Sequence, residues 1–174
     1  VPMEWYEKYG VRKYGFHGTS HKYVSQRMNE ILGRTDTKII TCHIGSGGSI
    51  SAVLNGKCID TSMGFTPNAG IMMGTRSGDI DYSMIPYLME KSGMSLKEID
   101  NALNKQSGFY GISKGKSDAR DIEAGMEAGD ELCTLAQKMY VKRVVEYIAK
   151  YYVLLGGCDA IVFTAGLGEN SMLA

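Results

Sequence analysis

The sequence predicts an α/β domain, a mixed sheet with flanking helices, on three observations. Residues 38–60 read as strand, glycine turn, strand, Asn-Gly turn, strand; residues 80–155 carry mainly helical periodicity; an apolar run at 159–164 then returns to strand. Before the sheet, Thr19 and Ser20 can cap a helix running to about Leu32, with Tyr23, Val24, Met28, Ile31 and Leu32 on its apolar side and Gly33 as its stop. The first strand, 38–43, is broken by Gly45-Ser46-Gly47-Gly48. Residues 49–54 then largely alternate apolar and polar, the pattern of a half-buried strand. Asn55-Gly56 is a strong hairpin signal, so 57–60 returns as a third strand.

Residues 63–78 hold Gly64, Pro67, Gly70, Gly74 and Gly78 and read as one long loop, a length that compact domains keep mainly for function. Helices are expected at about 80–91, 96–106, 118–127 and 129–155. The longest places Val141, Val145, Ile148, Tyr152 and Leu155 on one side as a core face, turns Leu132, Leu135 and Met139 another way, and stops at Gly156-Gly157. The apolar run 159–164 reads as a strand buried on both faces. It delivers a second glycine-rich loop, Ala165-Gly166-Leu167-Gly168-Glu169-Asn170, after which a helix is expected to begin.

Nineteen basic and nineteen acidic residues cancel, so no net field recruits nucleic acid or an anionic membrane. The small cluster Lys114, Lys116 and Arg120 is interrupted by Asp118 and Asp121. Cys42, Cys58, Cys133 and Cys158 are widely spaced, without a C-x-x-C pair, and only three histidines exist to complete a metal site. They read as structural thiols of a reduced, cytoplasmic protein. No apolar stretch approaches the roughly 20 residues of a membrane span, and no signal peptide opens the chain. An opening Val1-Pro2-Met3-Glu4 and an ending on a helix's first turn suggest a domain truncated at both ends.

Glycines in a turn after a strand let backbone N–H groups approach a phosphate with no side chain in the way. A dinucleotide fingerprint needs strand, glycines, then helix; here a period-2 segment follows Gly48, which argues against it. A strand–glycine loop–strand hairpin with a second glycine loop late in the domain suits the ribonuclease H-like ATP-binding design of acetate and sugar kinases, actin and heat-shock chaperones. Four segments narrow this: 15–21 (GFHGTSH), 42–47 (CHIGSG), 60–67 with 73–79 (DTSMGFTP and MGTRSGD), and 163–170 (FTAGLGEN). Together and in order they resemble the acetate kinase family, over essentially the whole chain.

That resemblance implies ATP-dependent phosphorylation of a small carboxylate, acetate to acetyl phosphate, by a cytoplasmic homodimer using ATP/ADP and Mg²⁺. It also implies that the chain is part of a C-terminal nucleotide-binding domain. The family's N-terminal domain, catalytic aspartate, one substrate-binding arginine and the carboxylates that place magnesium would lie outside it, so a fragment is expected to be inactive alone. By the resemblance, Arg76 stabilises the transition state and His17 orients the transferred phosphoryl group. Residues His43, Ile44, Gly45, Ser46 and Gly47 form the phosphate turn, where the family usually has Asn in place of Ser46. Asp118, Ala119 and Arg120 contact adenosine, Gly166, Leu167, Gly168, Glu169 and Asn170 close on the nucleotide's other side, and Phe16 and Pro67 wall the acyl pocket. Each has a plainer reading from the residues alone. Arg76 could pair with Asp79 or Asp81, His17 could cap or pack beside a helix, Asp118 could cap a helix before a solvated Arg120, Glu169 could be a first-turn carboxylate, and Phe16 and Pro67 could be core and turn. His21 is taken as structural. A propionate kinase, or a non-catalytic nucleotide-binding module of the same fold, remains open as an alternative.

Overall fold

A computed structural model describes residues 1–170, the side chain of Asn170 excepted, so that candidate's side chain lies outside the described residues. Four strands, β1 (Lys38–Ile44), β2 (Gly48–Leu54), β3 (Lys57–Thr61) and β4 (Ala160–Thr164), form one sheet in the order β3-β2-β1-β4. β1, β2 and β3 are antiparallel neighbours and β4 joins β1 in parallel, so the sheet is mixed as expected. Asn55 and Gly56 both take positive φ, 50° and 76°, the geometry that a two-residue hairpin with the strands' twist requires.

Helices flank the sheet: α1 (Met3–Tyr9), α2 (Gly18–Leu32), α3 (Met84–Ser92), α4 (Leu96–Lys105), α5 (Gly108–Ile112), α6 (Ala119–Glu127), α7 (Glu131–Leu155) and α8 (Ala165–Asn170). Asp118 and Asp130 cap α6 and α7 by accepting from backbone N–H groups one or two residues inside the helix, and Ser95 and Glu98 form a reciprocal capping box on α4. Two helices, α1 and α5, were not anticipated. α3 starts four residues later than expected, because Asp79 is held back to Gly70 by two hydrogen bonds, its own N–H to the Gly70 carbonyl and the Gly70 N–H to its carboxylate.

The core corrects three expectations. β2 is buried along its length rather than on one face. Ile40, Cys42 and Ile44 of β1, with Ile50 and Ala52 of β2, pack against α7, while Thr41, Ser49 and Ser51 are buried on the opposite face. Among the described residues β4 is an edge strand, and Ile161 remains 41% exposed despite its apolar run. On α7 the buried stripe is Cys133, Ala136, Gln137, Tyr140, Tyr151 and Leu155, with Val144, Tyr147 and Ile148 packed beside it. Of the expected face only Leu155 is buried and Ile148 partly so; Val145 is 57% exposed. A helix apolar nearly all round offers several stripes of the right period, and periodicity alone cannot choose among them.

The loop expected over 63–78 is present and extends over 62–83 without a helix or strand, yet its centre, 70–74, is buried. It is clasped from outside. Ser107, Phe109 and Tyr110 donate their backbone N–H groups to the carbonyls of Thr75, Met73 and Gly74, so the first turn of α5 is satisfied by the loop. No helix among the described residues is long and apolar enough to cross a membrane.

Candidate functional site

All three histidines of the chain meet where α2 crosses the sheet. His17 precedes α2 with left-handed dihedrals (φ 60°, ψ 23°), a backbone state that costs a non-glycine residue and tends to persist where surrounding structure enforces it. Its Nδ1 shares a 2.9 Å hydrogen bond with Ser49 Oγ. One turn along, buried His21 shares hydrogen bonds of 2.7 Å from Nδ1 to Thr41 Oγ1 and from Nε2 to the same Ser49 Oγ. His43 Nδ1 lies 2.8 Å from Ser20 Oγ, and its ring stacks on His17 with centroids 4.1 Å apart. Both stacked rings are therefore anchored through Nδ1, and neither Nε2 bonds to another described residue. Burial is the first cause that lowers all three histidines below their ordinary range; His43 and Arg76 add to it for His17, and His43 and His17 for His21.

That environment has a measurable consequence. His21 is held at about 4, chiefly by burial, against 6.5 for an ordinary histidine. Since its folded value is the lower one, the unfolded chain takes up the proton first. The stability that comes from neutral His21 is complete above pH ~6.5 and is lost as pH falls from there to ~4, roughly 3 kcal/mol in all. Denaturant midpoints measured between pH 7.5 and 4.5 should fall across that window, and His21→Gln should flatten the fall. An equal pH slope in wild type and variant would contradict the assignment.

Beside the histidines opens a cavity of about 720 Å³, lined on one side by Gly45, Ser46, Gly47, Gly74, Thr75 and Arg76 and on the other by Ser117, Asp118, Ala119, Arg120, Glu123, Gly166 and Leu167. Phe109 and Tyr140 form an aromatic wall, their ring centroids 4.9 Å apart. The turn between β1 and β2 is closed by Gly45 N–H donating to Gly47 O, and Gly74 N–H donates to Ser46 O, tying the turn to the Arg76 loop. A Cβ on Gly47 would stand 3.1 Å from Arg76 Nη1, so the guanidinium lies directly against the glycine turn. Arg76 donates to Pro67 O at 3.0 Å and contacts Met73 Sδ at 3.5 Å. It has no carboxylate partner among the described residues: of the two neighbours that sequence offered, Asp79 binds Gly70 and the Tyr147 hydroxyl, and Asp81 accepts from Ser83 N–H.

The candidate residues divide accordingly. Gly45, Ser46, Gly47, Arg76, Asp118, Ala119, Arg120, Gly166 and Leu167 line one cavity. His43 sits at its edge, its Nε2 3.8 Å from where a Gly45 Cβ would be, and His17 stacks behind it. Ile44 points into the apolar core. The expected second glycine loop is instead helix α8, entered through Ala165 at φ 67°. A Cβ on Gly168 there would meet Ile44 and Phe163, and Glu169 accepts from Ala165 N–H and Thr164 Oγ1; neither is among the residues that line the cavity. Asp118 caps α6 and pairs with exposed Arg120, whose hydrogen bonds hold the carboxyl down at about 2. Pro67 meets the site through the carbonyl that accepts from Arg76, and Phe16, 37% exposed, is not among the residues that line the cavity. Sequence reasoning missed Thr41 and Ser49, whose only signal is a polar residue on a strand next to the glycine turn, and it gave Ser20 another role: Thr19 and Ser20 are inside α2 rather than its cap, which is His17, and the Ser20 hydroxyl bonds His43.

The acetokinase family model matches residues 1–174. The acetate kinase of Phocaeicola vulgatus is 58% identical over 172 residues, covering 98% of this chain and 43% of that protein. Among solved structures, the acetate kinase of Porphyromonas gingivalis superposes with a TM-score of 0.95 at 50% identity, covering 98% of this chain and 43% of that one. A propionate kinase from Francisella tularensis gives a TM-score of 0.95 at 47% identity, with 98% and 44% covered. The chain thus spans less than half the length of these relatives. On sequence and on fold together, it belongs to the acetokinase family.

Proposed function

We propose that this chain is most of the C-terminal nucleotide-binding domain of an enzyme that interconverts ATP plus acetate with ADP plus acetyl phosphate. The observation that carries the proposal is the guanidinium of Arg76, free of any carboxylate among the described residues and packed on the glycine turn at the mouth of a nucleotide-sized cavity. Phosphoryl transfer asks little covalent chemistry of a protein; it asks for positioning and for positive charge on the equatorial oxygens. Arg76 supplies charge in a planar fork. Gly45, Ser46 and Gly47 let backbone approach the phosphates, and Ser46 keeps one hydroxyl where the family's usual Asn has an amide. The Nε2 atoms of His17 and His43 offer polar contacts on the same side. Adenosine would lie between Asp118-Ala119-Arg120 and Gly166-Leu167, against the Phe109–Tyr140 wall.

Mg²⁺ bound to ATP would neutralise charge on the β- and γ-phosphates. Among the described residues no group of three His, Cys, Asp or Glu side chains could hold a metal ion, and magnesium is commonly held by one or two carboxylates together with water and the phosphates. By the family resemblance the working form is a cytoplasmic homodimer, and the free state of all four cysteines suits a reducing compartment.

Limited proteolysis tests the nucleotide's place. Saturating ATP should protect the segment 113–120 of the full-length protein from cleavage; unchanged cutting there would remove adenosine from this cavity. The similarity to a propionate kinase keeps a second substrate in view. One methylene in an apolar pocket changes discrimination by only ~1–3 kcal/mol, so the ratio of kcat/KM for acetate and propionate decides between them.

A further inference from the structure

Thr41, His21, Ser49 and His17 form an unbroken line of hydrogen bonds that runs from the interior of the sheet to the reactive edge of the site. Thr41 and Ser49 are fully buried and His21 nearly so. Counting protons along this line fixes its direction. Each hydroxyl has one hydrogen to give, each neutral imidazole has one N–H, and a buried donor left without an acceptor is costly. Suppose the line points inward: His17 Nδ1–H donates to Ser49, Ser49 to His21 Nε2, and His21 Nδ1–H to Thr41. The Thr41 hydroxyl hydrogen is then buried with nothing to accept it, for Thr41 Oγ1 has no other partner among the described residues. Suppose instead that both histidines donate to Ser49; its own hydrogen is then stranded. Only the outward direction gives both buried hydroxyl hydrogens an acceptor, and it leaves the one unpartnered N–H at His17 Nε2, on the site's edge. Thr41 O–H donates to His21 Nδ1, His21 Nε2–H donates to Ser49 Oγ, and Ser49 O–H donates to His17 Nδ1.

We propose that Ser49 and His21, seated on Thr41, are positioning residues that fix His17 as the tautomer carrying its proton on Nε2. His17 then meets the phosphoryl oxygens as a neutral donor already oriented, and need not reorganise during transfer. His43 stacks on it and is anchored separately by Ser20, so the two rings are held by independent hydroxyls. This inference rests on the function proposed above for its meaning, but its geometry stands without it.

The test is the protonation site itself, read by NMR on the full-length protein carrying isotope-labelled histidine imidazoles, with the His17 signals assigned by their loss in His17→Asn. The unaltered protein should show a proton on Nε2 and a hydrogen-bonded, unprotonated Nδ1 at His17. A proton on Nδ1 overturns the inference, whatever the catalytic activity. Ser49→Ala should shift His17 towards the Nδ1–H form and lower kcat by ~10- to 100-fold with KM for ATP changed less than about 2-fold. An Nε2–H tautomer and a kcat both unchanged in Ser49→Ala would also overturn it. A full-length protein that forms no acyl phosphate would sink the functional reading alone, since the tautomer is read without turnover.

Discussion

Replacing Arg76 by alanine in the full-length protein is expected to lower kcat by about 10³- to 10⁵-fold, the range over which an arginine on a transferring phosphoryl group acts. The loss should appear in kcat far more than in KM for ATP, because the interaction strengthens as charge spreads over the equatorial oxygens. Stability should change little. Arg76 makes one hydrogen bond to Pro67 O and a sulfur contact to Met73, a loss of about 1 kcal/mol. Arg76→Lys should recover only part of the rate, since a point charge cannot reproduce the fork. Steady-state kinetics beside a thermal melt would check both halves. An Arg76→Ala protein with kcat within ten-fold of wild type would place the transition-state charge elsewhere.

Gly108→Ala should have the largest effect on the fold. Gly108 opens α5 at φ 64°, and a Cβ there would stand 2.0 Å from Met73 O and 2.9 Å from Arg76 O. The left-handed backbone alone costs a non-glycine residue about 1–2 kcal/mol, and contact with two backbone carbonyls leaves no flexible side chain to yield. A destabilisation of about 4 kcal/mol or more is expected, at the extreme of single substitutions. The contacting carbonyls belong to the loop that aims Arg76, so whatever protein folds should also lose activity. Denaturant titration measures the first effect. A midpoint within the error of wild type would mean that α5 does not pin the loop as described.

These two residues illustrate what a sequence can and cannot disclose. Arg76 was legible because it sits in a string of glycines and small polar residues with no apolar period to explain it. Gly108 was not: two glycines in Gly108-Phe109-Tyr110-Gly111-Ile112 argue against a helix, and α5 exists because the carbonyls of residues 73–75 satisfy its first turn. Local signals elsewhere served well. Asn55-Gly56 turned the hairpin, and Gly33 and Gly156 stop α2 and α7 with left-handed dihedrals. Ser49 and Ser51 misled, since polar residues alternating along a strand usually face water, and here they face buried His21 and partly buried Thr61. The second glycine loop failed for a related reason. Ala165 takes the left-handed turn itself, which frees Gly166 and Gly168 to be helical. The catalytic reading thus came from motif strings, while the hydroxyls that orient its histidines came only from the fold.

Hydroxylamine trapping of the product reads phosphoryl transfer to a small carboxylate without any coupling enzyme. Full-length protein incubated with ATP, Mg²⁺ and acetate should accumulate the hydroxamate of an acyl phosphate, and omission of acetate should abolish it. ATP consumption with no acetate- or propionate-dependent hydroxamate would exclude carboxylate phosphorylation and leave a nucleotide-binding module of the same fold.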